Sequence, residues 1–374
     1  MKSKNNRLTN FEVLRIVAML MIVIYHIVCH CIQAQLNGGD LAIKAGSAFF
    51  NNPVFHKKLF VLNGIMIWGS IGNAIFLLIS GYFLVHSKKE ININKISKKL
   101  LLQLGFASMA LVILSAITYK SHITDQFIQL IDINSFNSMS WYVGYYFLVI
   151  LIAYLFLNKY LKKLSKKQYI TFLIITFALT QFFWTNQIIN GFSNGLSILL
   201  IGIFLYSLGG YINKYNPFDK FKIISILLVM LITNLFIYIS SYNIITSKIE
   251  KYLLGSTKGF SQSLMSFENN SILVIIVSVC LFEFFSRIKI RNIKIINYLA
   301  SGTFMVYLIH DNPFFYSMWG TIDWLLMLYN DPLKFIVILF AVGLLTFTVG
   351  IIIYILYNLT IKIGLKYKNI FLKN

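Results

Sequence analysis

Charged residues are scarce in this chain, and acidic residues are the scarcest of them. Only 12 Asp and Glu occur among 374 residues, and all charged side chains together make up 12% of the sequence. Soluble domains contain about 25% charged residues. Hydrophobic residues instead reach 58%, and the mean hydropathy is +0.74. This composition excludes a conventional soluble globular protein and predicts an integral membrane protein.

Cysteine and glycine-rich nucleotide-binding loops are also lacking. The three cysteines, Cys29, Cys31 and Cys280, lie in apolar stretches and are too few for a disulfide scaffold. A Cys-x-Cys pair without a second Cys or His pair is not a zinc pattern, so we expect no bound metal. Gly209 and Gly210 lack the flanking residues of a phosphate-binding loop.

Long apolar runs dominate what is present. A helix that crosses a bilayer needs about 17–25 apolar residues, because lipid offers the backbone no hydrogen-bond partners. Ten windows meet this requirement: 11–32, 59–84, 96–118, 141–157, 169–184, 196–211, 221–239, 271–285, 295–309 and 333–361. The chain shows no internal repeat and no long polar segment. The sequence therefore predicts an all-α polytopic membrane protein with about ten transmembrane helices, forming one domain over residues 1–374.

The basic residues indicate how these helices are oriented. The formal charge of +21 comes from 33 Lys and Arg, which in a soluble protein would suggest nucleic acid as a partner. Alternate loops between the ten windows hold 25 of these residues, and the other loops hold eight. Because basic loops stay in the cytoplasm, both termini are predicted to be cytoplasmic. The first window resembles a signal peptide, but Glu12 and Arg15 interrupt it and no cleavage site follows, so we expect a retained helix.

Arg15 and His26 of the first window are candidates for a functional role, because ionisable groups inside a membrane are costly. Arg15 and His26 lie on one helix face, about three turns or about 16.5 Å apart. The alternative for Arg15 is a basic residue of the membrane boundary paired with Glu12, and for His26 an imidazole bonded to a neighbouring helix. His30 adds a second imidazole one turn later. A neutral imidazole that is reached from outside suits general-base chemistry.

Four segments carry a resemblance to a known family. They are residues 10–21 followed by Tyr25 and His26, residues 78–83, residues 141–146, and residues 300–311. Their order and spacing resemble the integral-membrane acyltransferase-3 family, whose first helix carries an Arg-x10-His motif. The resemblance extends over about residues 9–360.

The resemblance implies transfer of an acyl group, usually acetyl, from cytoplasmic acyl-CoA to a hydroxyl of a cell-surface polysaccharide or lipid-linked glycan. His26 would be the catalytic histidine, and Arg15 the arginine that shapes or binds the donor region. Acetyl-CoA or another short acyl-CoA would be a substrate, with no permanently bound cofactor. The expected location is a bacterial plasma membrane.

The chain departs from the family at the start of the third window. Members often carry Arg-x-x-Arg there, whereas this chain has Lys95, Lys98 and Lys99. Lysine binds phosphate as a point charge, while arginine binds it with a planar fork. With Arg15, these lysines form the expected donor-binding set. The alternative is ordinary basic charge at the cytoplasmic boundary.

Aromatic and polar residues gather at the predicted outer ends of the helices. The expected acceptor-binding set is Trp141, Tyr142, His310, Asp311 and Asn312, with Asp323, Asp331, Tyr145, Tyr316, Trp319 and Trp324 nearby. The alternative for the rings is an interfacial aromatic belt. His310 beside Asp311 is a rival to His26 as the base, but helix depth and the family motif favour His26. Glu283 is expected to pair with the basic run 287–294, and Ser80-Gly81 to be either a tunnel lining or a close-packing site.

Two other functions stay open at this point. A transporter or flippase of glycan precursors would tend to show repeated halves and broken helices, which the sequence does not reveal. An assembly subunit with a degenerate site is disfavoured because Arg15 and His26 are both present. Family members often carry an extracytoplasmic hydrolase-like domain. We expect this chain to be the standalone form, which transfers directly or uses a separate extracytoplasmic transferase.

Overall fold

The computed structural model describes residues 8–32, 53–118, 141–181, 187–253 and 271–371, and every regular element in these ranges is helical. Two short segments, Val28–Ile32 and Ala153–Leu157, are π-helical. The all-α prediction is confirmed for this part of the chain. The α-helices are α1 (Thr9–Ile27), α2 (Pro53–Met66), α3 (Trp68–Leu84), α4 (Ile93–Thr118), α5 (Trp141–Ile152), α6 (Asn158–Lys163), α7 (Lys166–Thr180), α8 (Gln187–Tyr215), α9 (Ile223–Leu253), α10 (Ile272–Arg287), α11 (Lys294–Ser301), α12 (Thr303–His310), α13 (Pro313–Gly320), α14 (Trp324–Asn330) and α15 (Pro332–Phe371).

Seven helical stretches in the described ranges are long and apolar enough to cross a membrane. They are Thr9–Ile32, Gly64–Leu84, Ile93–Ile117, Trp141–Lys163, Gly195–Tyr215, Ile223–Ser240 and Pro332–Gly364. Three predicted windows coincide with shorter helices: α7 has 15 residues, α10 has 16, and the ninth window is divided between α11 and α12. The window 169–184 also runs past residue 181, outside the described residues. The chain is therefore a multi-pass helical protein, and the total of ten spans stays a prediction.

The ninth window is broken at Gly302, where the sequence had predicted one continuous helix. Gly302 packs against α15, and a Cβ atom added to it would lie 2.7 Å from Ile351 Cδ1 and 2.9 Å from Tyr354 Cδ1. Only glycine allows this close approach of two helices. His310 is the last residue of α12 and is buried.

The basic loops meet at one end of the helix bundle, as their alternation along the chain predicts. Hydrogen bonds join them in a series. They run from Thr9 to Asn297, from Asn10 to the Phe285 carbonyl, from Arg287 to the Phe218 carbonyl, from Lys214 to the Leu164 carbonyl, and from Lys162 to the Ser87 carbonyl. Most of the predicted opposite loops, at 33–52, 119–140 and 254–270, lie outside the described residues.

Helix α1 is central in the bundle, which places Arg15 and His26 in the interior. It contacts α3, α11, α12 and α15, and Leu14, Ala18 and Ile24 are buried. Gly72 makes the approach of α3 possible, because an added Cβ atom would lie 2.7 Å from the Ala18 carbonyl oxygen. Gly81 packs in the same way against the Tyr206 backbone of α8, so Gly81 is a close-packing site, whereas Ser80 lines a cavity.

Candidate functional site

Two histidines that are far apart in the sequence meet in the interior. His26 Nδ1 lies 2.7 Å from His310 Nε2. His310 Nδ1 lies 2.8 Å from the Tyr307 carbonyl oxygen and 3.2 Å from that of Val306. A carbonyl oxygen only accepts hydrogen bonds, so we assign the proton of neutral His310 to Nδ1. His310 Nε2 is then an acceptor, His26 Nδ1 must donate to it, and the lone pair of His26 is on Nε2.

Asp311 completes this histidine network. Its Oδ2 atom lies 3.7 Å from His26 Nε2, and its Oδ1 atom lies 3.2 Å from His30 Nε2 and accepts a hydrogen bond from the Tyr316 hydroxyl. Burial raises the pKa of Asp311, but the adjacent His26 and His30 imidazoles and the Tyr316 hydroxyl outweigh it. The pKa therefore lies well below the usual carboxyl range, and Asp311 is ionised.

Local sequence explains why these side chains converge. Asn312 caps α13, with its Oδ1 accepting from the Phe314 backbone N–H at 3.0 Å, and Pro313 occupies the first helical position. This turn directs Asp311 back toward α1. His30 lies in the π-helical segment Val28–Ile32, and its ring stacks on Tyr316 with a centroid distance of 4.2 Å. Single π-helical turns are frequent at functional sites.

The network combines an available base with a fixed negative charge. His26 Nε2 can take a proton, and the Asp311 carboxylate 3.7 Å away stabilises the imidazolium that results. The side chains are partly accessible, with exposed fractions of 16% for His26, 11% for Asp311 and 38% for His30. A small polar substrate therefore has access to the base.

The same three residues have metal-binding geometry. Ligand atoms of His26, His30 and Asp311 all lie within 4.8 Å of one another. A cation held there would take the lone pair of His26 Nε2, so the ligand role and the base role exclude each other. The sequence had predicted no metal from its lack of a zinc-binding cysteine pattern, and Asp311 is far from His26 and His30 along the chain.

A cavity of about 290 Å³ extends from Arg15 toward the histidines. Arg15 Nη1 lies 3.1 Å from both carboxylate oxygens of Glu12, the pairing that belonged to the alternative interpretation of Arg15, and Arg15 also lines the cavity. Lys99 lines the same end. Tyr307 also lines the cavity, and its ring centroid lies 5.6 Å from that of His310. The cavity thus reaches from the basic end of the bundle to Tyr307, one turn before His310, while His26, His30, His310 and Asp311 are not among its lining residues.

The structure separates the predicted donor-binding lysines. All three lysines are exposed, and only Lys99 is among the residues that line the cavity. All three lie within the first two turns of α4, which Asn92 caps through a 2.9 Å hydrogen bond from the Lys95 backbone N–H. Only Arg15 and Lys99 of the predicted set therefore face the cavity.

The predicted acceptor-binding residues also separate into different roles. His310 and Asp311 join His26, but Asn312 serves as a helix cap, and Tyr142 is buried with its hydroxyl donating to the Asn73 carbonyl oxygen at 2.9 Å. Trp141 is 41% exposed at the start of α5. Asp323 and Asp331 cap the helices that follow them.

Trp319 and Trp324 correct one expectation, because neither lies in an interfacial belt or an open sugar site. Trp319 is 2% exposed and Trp324 is fully buried. Their indole N–H groups donate to Thr346 Oγ1 and to the Trp319 carbonyl oxygen, at 3.2 and 2.8 Å. These rings are part of the packed interior.

The sequence did not single out one polar residue of the cavity wall. An ion pair that it predicted outside the cavity is confirmed by the structure. Gln103 of α4 lines the cavity one turn after Lys99. Its position inside an apolar window was the available signal, since polar groups in membrane helices mark functional sites. Glu283 pairs with Arg287 at 3.3 Å, as its position one turn before the basic run predicted.

Comparison with known families agrees with this geometry. The family model Acyl_transf_3, described as an acyltransferase domain, matches residues 8–355 of the 374. No curated protein and no solved structure matches the chain.

Proposed function

The chain belongs to the acyltransferase-3 family, and we propose that it is an O-acetyltransferase that uses cytoplasmic acetyl-CoA to modify a cell-surface or lipid-linked glycan. Family membership makes it a membrane acyltransferase. The observation that supports the finer proposal is the His26–His310 contact beside Asp311, together with a cavity that is lined by Arg15 and Lys99 and by Tyr307, one turn before His310.

The histidine network supplies the proton transfers of the reaction. A glycan hydroxyl gives its proton to His26 Nε2, and the hydroxyl oxygen attacks the thioester carbonyl carbon. The new C–O bond forms as the C–S bond breaks, and the proton on Nε2 passes to the departing thiolate. His310 holds the His26 tautomer by accepting from Nδ1–H, and Asp311 stabilises the transient positive charge.

The basic end of the bundle suits the donor. With the basic loops in the cytoplasm, Arg15 and Lys99 are on the side where acyl-CoA is made. They would attract the CoA phosphates, while Lys95 and Lys98 raise the local concentration of an anionic donor from the exposed surface. The pantetheine arm would then lie in the cavity, and its thioester would approach the histidines.

The acceptor would enter from the opposite end of the bundle. His30 and Trp141 have exposed side chains and would face this acceptor. An aromatic face together with an imidazole suits a sugar ring. This acceptor entrance would then lie on the outer face of a plasma membrane, where surface glycans are assembled.

The test uses membranes from cells that express the chain, supplied with isotopically labelled acetyl-CoA. The wild type should label the glycan fraction, and His26→Gln should reduce the rate about 10²- to 10⁴-fold. His86→Gln is the matched control, because His86 lies outside the histidine network. Full labelling by membrane-inserted His26→Gln would refute the assignment of the base. Unchanged glycan acetylation with impaired export in a deletion strain would favour a transporter instead.

A further inference from the structure

Gln103 is a buried amide in the wall of the cavity, and it has no partner in the described part of the chain. Its side chain has no exposed surface, and neither Nε2 nor Oε1 has a hydrogen-bond partner among the described residues. It lines the cavity together with Arg15 and Lys99. A buried polar group left unpaired destabilises the fold, so such a group at a cavity indicates a ligand that pairs with it.

Ser80 and Thr303 of the wall are paired with protein atoms, whereas the Tyr307 hydroxyl, like Gln103, has no hydrogen-bond partner among the described residues. Ser80 donates to the Phe76 carbonyl oxygen at 2.7 Å and its Oγ lies 2.9 Å from the Tyr146 hydroxyl. Thr303 donates to the Ala300 carbonyl oxygen at 2.9 Å. Gln103 differs from these residues, because it brings both a donor and an acceptor that no described protein atom uses.

The position of Gln103 along the cavity indicates which part of a ligand would reach it. Lys99 and Gln103 are one helical turn apart, a rise of about 6 Å, so Gln103 is deeper than the basic mouth. Tyr307, beside His310, lines the part nearer the histidines. If the donor phosphates lie at Arg15 and the thioester lies near His26, the part of the donor between these two groups passes Gln103.

We propose that Gln103 binds an amide of the pantetheine arm of the acyl-CoA, an inference that rests on the proposed use of acyl-CoA as donor. In CoA, the pantetheine arm carries two secondary amides between the phosphate groups and the thiol. Gln103 Nε2–H would donate to the amide carbonyl oxygen, and Oε1 would accept from the amide N–H. A lipid acyl chain in the same cavity offers neither group and would leave Gln103 unpaired.

The experiment compares thioester donors that keep or lack these amides. Inside-out membrane vesicles receive acetyl-CoA, S-acetyl-pantetheine or the ethyl thioester of acetic acid, which has no amide. Gln103→Met preserves the approximate volume of the side chain and removes the amide. For the two pantetheine donors, KM should rise about tenfold to a hundredfold with a smaller change in kcat. The rate with the ethyl thioester should stay within about twofold.

Control variants separate recognition from packing. Ser108→Ala removes a hydroxyl from the same helix that donates to the Leu104 carbonyl oxygen, and it should leave all three donors unchanged. Gln103→Asn keeps the amide and should retain part of the selectivity. If Gln103→Met does not reach the membrane, Gln103→Glu, which loses the N–H donor, should show the same selective rise in KM.

The outcomes distinguish this inference from the proposed function. A wild type that transfers no acetyl group from acetyl-CoA would refute the proposed function, and the role of Gln103 with it. A wild type that uses acetyl-CoA, with a Gln103→Met variant that affects all three donors equally or affects none, would overturn the role of Gln103 alone.

Discussion

The histidine network and the basic mouth of the cavity hold their polar groups in different ways. Around His26 the partners are specific, since His310 and Asp311 lie at 2.7 and 3.7 Å and His310 is anchored to the backbone. At the mouth, Arg15 pairs with Glu12, while Lys95 and Lys98 are exposed side chains. Buried polar groups require exact partners, whereas exposed charges act through solvent. Substitutions should therefore have large, geometry-dependent effects at the first region and small, salt-dependent effects at the second.

His310→Ala should have the largest effect of the variants that leave His26 in place. Without the acceptor at Nε2, the His26 tautomer is no longer held, and we expect kcat to fall about tenfold to a hundredfold. His310→Gln should recover part of the loss, because a carboxamide oxygen can accept from His26 Nδ1–H. Steady-state kinetics with labelled acetyl-CoA measure both. Equal losses in the two variants would show that His310 only fills space.

Asp311→Asn should lower kcat by about tenfold, because the imidazolium at His26 loses its counter-charge. The pKa of Asp311 is depressed, so its ionised form contributes to stability above the ordinary carboxyl pKa. That contribution is lost only when the pH falls through the lowered value. The melting temperature of the wild type in detergent should thus stay above that of Asp311→Asn from neutral to mildly acidic pH. A difference that disappears within this range would contradict the assigned ionisation.

The lysines of α4 should show the smallest effects, in an order set by their positions. Lys99→Ala should raise the KM for acetyl-CoA about fivefold, and Lys95→Ala and Lys98→Ala about twofold or less. All three effects should shrink as salt is added, because exposed charges are screened. Measuring the KM for acetyl-CoA of each variant at low and high salt tests this screening. A larger effect at Lys95 than at Lys99 would contradict the placement of the donor at the cavity mouth.

Much of the helical frame and part of the site were predictable from local patterns. The 3.6-residue period placed Arg15 and His26 on one face, and the loop charges predicted that the basic loops share one end of the bundle. The pairing of Arg15 with Glu12 and of Glu283 with Arg287 also followed from helix spacing. These features depend on spacing within one helix or on the charge of single loops, so they follow from local sequence.

Other features depended on packing that no local pattern records. Trp319 and Trp324 have the sequence positions of interfacial rings, yet they are buried, because aromatic residues at helix ends look the same in a belt and in a core. Gly302 lies within an apolar window, yet it separates α11 from α12 and packs against α15. Lys99 and Lys98 are adjacent, and only the packing of α4 decides which one faces the cavity.

The sequence by itself determined a membrane protein of many apolar helices, its basic loops at one end, and an arginine and a histidine on one helix face. Hydropathy and charge are sums over local segments, so they are readable without the fold. The tertiary structure decided that His26 meets a histidine 284 residues away, that Asp311 faces His26 and His30, and that Gln103 lies beside a cavity without a partner among the described residues. Hydrogen bonds change over tenths of an ångström, and only the packing of distant helices sets distances at that scale.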